Sequence, residues 1–174
     1  MPLTFSILQR LGRPYDSGDL GRYQLVLVGK IIMERDSIVK RQVVESGRSV
    51  FKDVLIKEVL TINDRTKGQA LSMANTNGRA VLRVCFEEVG GYYQENYFLE
   101  FSCVADERES FYHLDFTPDL VTSVRSSEKG TVEYGKKTYK LKFTGETKPY
   151  LLINLFQKDK EKLLPRTVPG RVVY

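Results

Sequence analysis

Apolar and polar residues alternate with a period of two through much of this chain, and the alternating runs are bounded by glycine, proline and small polar residues. The first run is Arg22 to Glu34. Tyr23, Leu25, Leu27, Ile31 and Met33 share one face, and Val26, Val28 and Ile32 share the other. A strand that is apolar on both sides is expected at the centre of a sheet. Gly29 within it predicts a bulge or a close backbone approach. From Arg79 the pattern resumes, with Ala80, Leu82, Val84 and Phe86 alternating with Val81, Arg83 and Cys85. Gly90-Gly91 separates this run from Tyr92 to Val104, which predicts a hairpin because paired glycines accept positive φ. Phe111 to Phe116 reads as a short strand ending at Thr117-Pro118-Asp119. Leu120 to Val124 fits a helical turn or a strand. Thr131 to Tyr134, Gly135-Lys136 and Lys137 to Phe143 form the clearest hairpin. In its second arm Tyr139, Leu141 and Phe143 alternate with Thr138, Lys140 and Lys142, so one face is apolar and the other largely cationic. Tyr150 to Phe156 is a final apolar strand.

The period changes over residues 46–60. Val50, Phe51, Val54, Leu55 and Val59 recur at steps of three and four, which predicts an amphipathic helix capped by Ser46 or Ser49, with Lys52, Lys57 and Glu58 facing water. Residues 63–78 are mainly polar and predict a loop region. Residues 1–20, with the breaker cluster Gly12 to Asp19, read as a flexible N-terminal arm that packs on the domain or on a partner. The prolines Pro165 and Pro169 stop any helix in the tail. The expected fold class is α+β: a mainly antiparallel sheet of about five to seven strands with one principal helix. The expected organisation is an arm over 1–20, a single β-rich domain over 21–156 and a basic tail over 157–174.

Length and composition agree with one domain. The chain has 174 residues, 41% of them hydrophobic and 28% charged, which is a foldable composition. No run approaches the ~20 apolar residues of a membrane-spanning helix. The N-terminus lacks a basic region ahead of a long apolar core, so no secretory signal is expected. Charge sharpens the picture, because the net charge of +5 is unevenly placed. Residues 1–128 hold 16 Lys/Arg against 18 Asp/Glu, and residues 129–174 hold 11 against 4. The C-terminal quarter is therefore electropositive and favours anionic partners. The acidic cluster Asp106, Glu107 and Glu109 is a candidate to meet basic surface on another copy.

Candidate chemistry is sparse. Two cysteines and one histidine are too few for a zinc domain, which uses about four N/S ligands, or for a disulfide scaffold. His113 lies among Phe111, Tyr112 and Leu114 and reads as a packed or edge histidine. Cys85 and Cys103 match no redox or metal spacing and read as buried free thiols. Glycine-rich phosphate loops are missing, so no cofactor is expected. Glu87, Glu88 and Glu95 read as the polar end of a hairpin. The aromatic group Tyr92, Tyr93, Tyr97 and Phe98 has acidic surroundings and reads as core or protein contact. What remains is a cationic set expected to meet anionic surfaces: Lys137, Lys140, Lys142 and Lys148, joined by Lys158, Lys160 and Lys162 of the tail. Such a row can neutralise phosphates of RNA or lipid headgroups. It also fits an edge strand protected by lysines.

The element order resembles that of rhabdovirus matrix proteins, in particular the small ones of plant-infecting members. The features that carry the resemblance are the arm, the long first strand from Tyr23 to Glu34, the helix expected around Val50 to Leu60, the antiparallel strands after it, the size and the basic character. It spans residues 20–156. Animal-virus relatives often carry a Pro-Pro-x-Tyr motif and a lysine-rich arm. Here only Pro14-Tyr15 stands in that region, so no recruitment of budding machinery carries over. The resemblance implies a non-enzymatic structural protein that self-associates, binds nucleocapsid or nucleoprotein, and lies peripherally on an anionic membrane in host cytoplasm and virion. The competing class is a small viral nucleic-acid-binding protein (coat, movement or silencing suppressor) that uses the same lysines on RNA. An enzyme would need a cleft that gathers His113 with a nucleophile.

Overall fold

Period-two patterning becomes two antiparallel sheets in the computed structural model, which describes residues 1–11, 23–87, 96–104, 110–118, 129–144 and 147–155. A short helix, α1 (Phe5–Arg10), comes first. The strands follow in chain order: β1 (Gln24–Val28), β2 (Lys30–Glu45), β3 (Arg48–Ile62), β4 (Lys67–Thr76), β5 (Arg79–Cys85), β6 (Leu99–Val104), β7 (His113–Leu114), β8 (Thr117–Pro118), β9 (Lys129–Tyr134), β10 (Lys137–Thr144) and β11 (Tyr150–Asn154). Six of them close a barrel in the order β1-β11-β7-β6-β5-β4, and five form a second sheet in the order β3-β2-β10-β9-β8. Closure gives each barrel strand a partner on both sides, the shortest seam being β7, which meets β11 at His113↔Tyr150 and β6 at two pairs.

The alternation predicts the core well. Tyr23, Leu25, Leu27, Ile31 and Met33, one face of the first run, are all buried, as are Ala80, Leu82 and Val84 of β5 and Tyr139 and Leu141 of β10. The first run is not one strand, however. It is broken at Gly29, whose φ of +97° is a region favouring glycine. Its N–H donates to Asp64 Oδ1 at 2.8 Å, and an added Cβ would sit 3.3 Å from the Pro149 backbone. At this point the chain leaves the barrel, where β1 pairs with β11 and β4, and enters the second sheet, where β2 pairs with β10 and β3. Three hairpins turn on two residues that both have positive φ: Ser46-Gly47, Asn77-Gly78 and Gly135-Lys136. Paired positive φ values suit the twist of the flanking strands.

Mainly antiparallel β structure is present, but the principal helix expected over 46–60 is not. Those residues form most of β3. Val50, Val54, Ile56 and Leu60 lie on one face of the strand, and Phe51, Leu55 and Val59 lie on the other, so a strand apolar on both faces imitates a helical step of three and four. Residues 63–78 are likewise not a loop, because β4 runs through most of them and closes the barrel on β1. The described helix is instead α1, in the first half of the expected arm. Thr4 caps it by accepting from the Ile7 N–H, and Leu3, Phe5 and Leu8 are buried. Leu3 donates to the Leu151 carbonyl and accepts from the Tyr112 N–H, so residues 1–11 pack on β11 and the segment before β7. Residues 12–20 of the arm, Gly90-Gly91, the Leu120 to Val124 segment and the 157–174 tail lie outside the described residues.

Candidate interaction surfaces

Two surfaces of the second sheet bear on function: a lysine-bearing outer face and a long ribbon. The outer face follows from strand parity. Tyr139 and Leu141 point inward, so Thr138, Lys140 and Lys142 point out, beside Glu34 of β2. Glu34 is the hub of this face. It accepts from Lys142 Nζ and lies 2.9 Å from Lys57 Nζ of β3. The hydrogen bond from Lys142, and then that from Lys57, hold its carboxyl below the usual Glu range, while Glu34 in turn raises the Lys57 ammonium. Lys140 is exposed, and among the described residues no carboxylate lies within ion-pair distance of it.

The other lysines expected to join this row separate from it. Lys137 has the parity of Tyr139 and lies on the opposite side, 3.7 Å from Glu58 Oε1. Glu58 also takes Arg35 Nε at 2.6 Å and the Tyr139 hydroxyl at 3.0 Å. Arg35 is the main cause of its lowered pKa. The Arg35 guanidinium also lies over the Tyr139 ring, 5.7 Å from its centroid. Lys148 sits before β11 with its ammonium over the Phe116 ring. Lys158, Lys160 and Lys162 lie outside the described residues, as do Asp106, Glu107, Glu109, Glu88 and Glu95. Thus the structure brings Lys140 and Lys142 together, adds Lys57 to them and turns Lys137 away.

The ribbon is the surface that sequence reading missed. β2 pairs with β10 only through residues 30–34, while its pairing with β3 continues from Ile31↔Ile62 to Glu45↔Arg48. Beyond Glu34, therefore, β2 and β3 pair only with each other among the described residues. At ~3.3 Å per residue this two-stranded stretch reaches about 35 Å. It is not polar. Ile38, Val44, Phe51 and Leu55 are each at least 68% exposed. Ile38 and Leu55 face each other across the ladder. A lone two-stranded hairpin is marginally stable in water, and a contiguous exposed apolar patch of this kind marks a contact surface. The signal that pointed to it was Ser46-Gly47, a two-residue turn between two long apolar-rich runs.

Catalytic geometry can be described at the single histidine. His113 packs against Phe111 and Tyr150, which also touch each other, and its partner among the described residues is the Lys148 carbonyl, 3.4 Å from Nδ1, rather than a hydroxyl or thiol. Burial lowers its pKa and raises those of Cys85 and Cys103, which are buried free thiols. A cleft of about 370 Å³ does hold His113 with Ser102, Cys103, Ser110 and Asp115. In it the Ser102 hydroxyl accepts from Arg79 and the Ser110 hydroxyl from the Val104 N–H. Among the described residues no group of three or more His, Cys, Asp or Glu is placed to hold a metal ion, and no helix is long and apolar enough to cross a membrane.

Comparison of the chain with family models, with curated proteins and with solved structures finds no match.

Proposed function

We propose that this chain is a structural, matrix-like protein that associates with copies of itself and lies against an anionic surface, linking nucleoprotein to membrane. The observation that carries the reading is the ribbon: about ten residues of each strand beyond the sheet, with apolar side chains exposed chiefly on one face, that of Ile38, Val44, Phe51 and Leu55. Exposing Ile38, Phe51 and Leu55 to water is costly, at ~25 cal/mol per Å² of apolar surface, and a partner relieves that cost. The anionic preference rests on the net charge of +5 and on Lys57, Lys140 and Lys142 sharing one face, where Glu34, Asp36 and Glu133 offset part of their charge. Each lysine near an anionic membrane contributes about 1 kcal/mol, so three give weak binding that self-association multiplies. Enzymatic chemistry has no part in the reading.

The test is flotation of nuclease-treated protein with anionic and with neutral liposomes, each with and without competitor RNA. The expected result is flotation with anionic liposomes alone, undiminished by RNA, together with concentration-dependent association in sedimentation. Absence of flotation, with RNA binding that falls steeply as salt rises, would replace this reading with a nucleic-acid-binding protein.

A further inference from the structure

Among the described residues the ribbon has two free edges, and they differ. β3 is the last strand of its sheet, and among the described residues its outer edge has no partner from Arg48 to Ile62. The hairpin turns on two residues, so Glu45 and Arg48 form a hydrogen-bonded pair, and the ladder alternates from there. Even-numbered residues of β3 therefore spend their backbone groups on β2. Odd-numbered residues, from Ser49 to Thr61, turn theirs outward. Leu55 is the middle residue of that outward set.

We infer that a second copy of this chain docks on the β3 edge, antiparallel and two-fold symmetric about Leu55, joining two ribbons into one four-stranded sheet. The inference rests on the self-association reading above and assigns it a register. A two-fold axis normal to a sheet keeps each residue on its face, so residue i meets residue 110 − i of the partner. Every pair then matches in kind. Lys52 meets Glu58, and Asp53 meets Lys57. Phe51 meets Val59, Val54 meets Ile56, and Leu55 meets itself. By symmetry each pair other than the central one occurs twice, which gives four opposite-charge pairs. The outward backbone groups of residues 51–59 supply about ten hydrogen bonds across the junction.

Neighbouring registers lose this match. Centring on Val54 sets Phe51 against Lys57 and Lys52 against Ile56. Centring on Ile56 sets Asp53 against Val59 and Leu55 against Lys57. Centring on Asp53 or Lys57 places a charge on its own copy. The β2 edge matches less well: centring on Ile38 pairs Asp36 with Lys40 but opposes Arg35 to Arg41, and centring on Lys40 opposes two ammonium groups and sets Val39 against Arg41. Opposite charges across a strand pair stabilise it and like charges destabilise it, so charge fixes the register while the apolar pairs supply burial. Glu58, Lys57 and Lys52 already pair within the copy, with Arg35, Glu34 and Glu45 respectively, and a docked ribbon would share them.

The experiment uses the full chain in two arms. In the first, Leu55→Cys is oxidised and compared with Phe51→Cys. A hydrogen-bonded antiparallel pair holds its Cα atoms ~5.5 Å apart, within disulfide reach, whereas residue 51 would sit eight residues from its own copy. The expected result is a covalent dimer from Leu55→Cys, none from Phe51→Cys alone, and a dimer when Phe51→Cys is mixed with Val59→Cys. In the second arm, Lys52→Glu/Lys57→Glu and Asp53→Lys/Glu58→Lys are sedimented separately and mixed. Each alone opposes like charges and is expected to associate at least tenfold more weakly than wild type, and the mixture to recover a heterodimer. Wild-type association without the Leu55→Cys crosslink overturns the β3 register and leaves the self-association reading standing. A wild-type chain that stays monomeric at all concentrations overturns both. The cysteine positions are exposed, so the first arm remains decisive if a charge variant fails to fold.

Discussion

The two ends of β2 live in different environments. At its start Ile31 and Met33 are fully buried, and β10 and β3 flank the strand. Five residues on, Ile38 is 68% exposed, and by Val44 exposure reaches 75%. Ile38 and Val44 lie on the face opposite Ile31 and Met33, and charged residues become more frequent along the strand, but even on the inward face Val39 and Val43 are no longer buried, because β10 no longer flanks the strand. In the barrel and the sheet root, isoleucine and methionine fill a core. In the ribbon the same chemistry has nothing over it among the described residues. Apolar residues in a strand therefore specify burial without specifying what they are buried against, and here the core covers one end of the strand while the other stays exposed among the described residues.

Substitutions that separate the two regions give the largest expected effect. Phe101, fully buried in β6 against Phe86, should lose about 3–5 kcal/mol of stability as Phe101→Ala. Leu55→Ser, in the ribbon, should stay within about 0.5 kcal/mol at low protein concentration, because no cavity forms. Denaturant unfolding of both variants checks this. Equal losses would break the comparison and mean that the ribbon packs on its own chain. Next in size is Gly29→Ala, at the junction between the sheets. A φ of +97° strains a residue with a Cβ, by about 1–3 kcal/mol. The unfolding midpoint should fall, and the barrel and second sheet should still unfold together if this junction only joins them.

How much of this was legible in the sequence depends on the asymmetry of each surface. Strands with one face in the core and one in water write themselves as alternation, and so β5, β9, β10 and the inward face of the first run could be read residue by residue. The shared face of Lys140 and Lys142 followed from the same parity. β4 was hidden because Ala70 is its one buried apolar side chain, with Met73 only partly covered, among Gln69, Ser72 and Asn75, and barrel closure rather than periodicity holds it. β3 was hidden for the opposite reason. Apolar residues occupy both of its faces, so no in-and-out rhythm survives, and Val50, Phe51, Val54, Leu55 and Val59 fall on helical steps. Glu34 as a hub was beyond reach, since Lys142 lies 108 residues away in the chain.

Electrostatics divides the molecule in the same way. Glu34 and Glu58 at the ribbon root are held below the ordinary carboxylate range, chiefly by hydrogen bonds from Lys142 and Arg35 respectively. A depressed carboxylate contributes stability that is present above its unfolded pKa of ~4.3 and is lost as pH falls through its folded value. Below about pH 4.3 the root should loosen, and Glu34→Gln with Glu58→Gln should flatten that part of the stability profile. Both carboxylates are solvent-facing, so the change should be modest and should shrink as salt rises.

The smallest expected effect belongs to the barrel and falls in a different window. His113 in β7 pairs with Tyr150 of β11, and burial, reinforced by the Lys148 charge, favours its neutral form against the hydrogen bond to the Lys148 carbonyl. Its folded pKa therefore lies below the ordinary histidine value of ~6.5. The sign follows from linkage: the neutral ring's contribution is present above about 6.5 and is lost as pH falls through the lower folded value. It is the only histidine in the chain, so this window contains no other imidazole. Amide exchange read strand by strand should show β7 and β11 opening more readily as pH drops through that window once intrinsic exchange rates are corrected, while the β2 and β3 root stays unchanged until the carboxylate range. His113→Phe should abolish the first transition and spare the second. If both regions respond together in either window, the ribbon and the barrel are one cooperative unit and the division drawn from β2 applies to exposure alone.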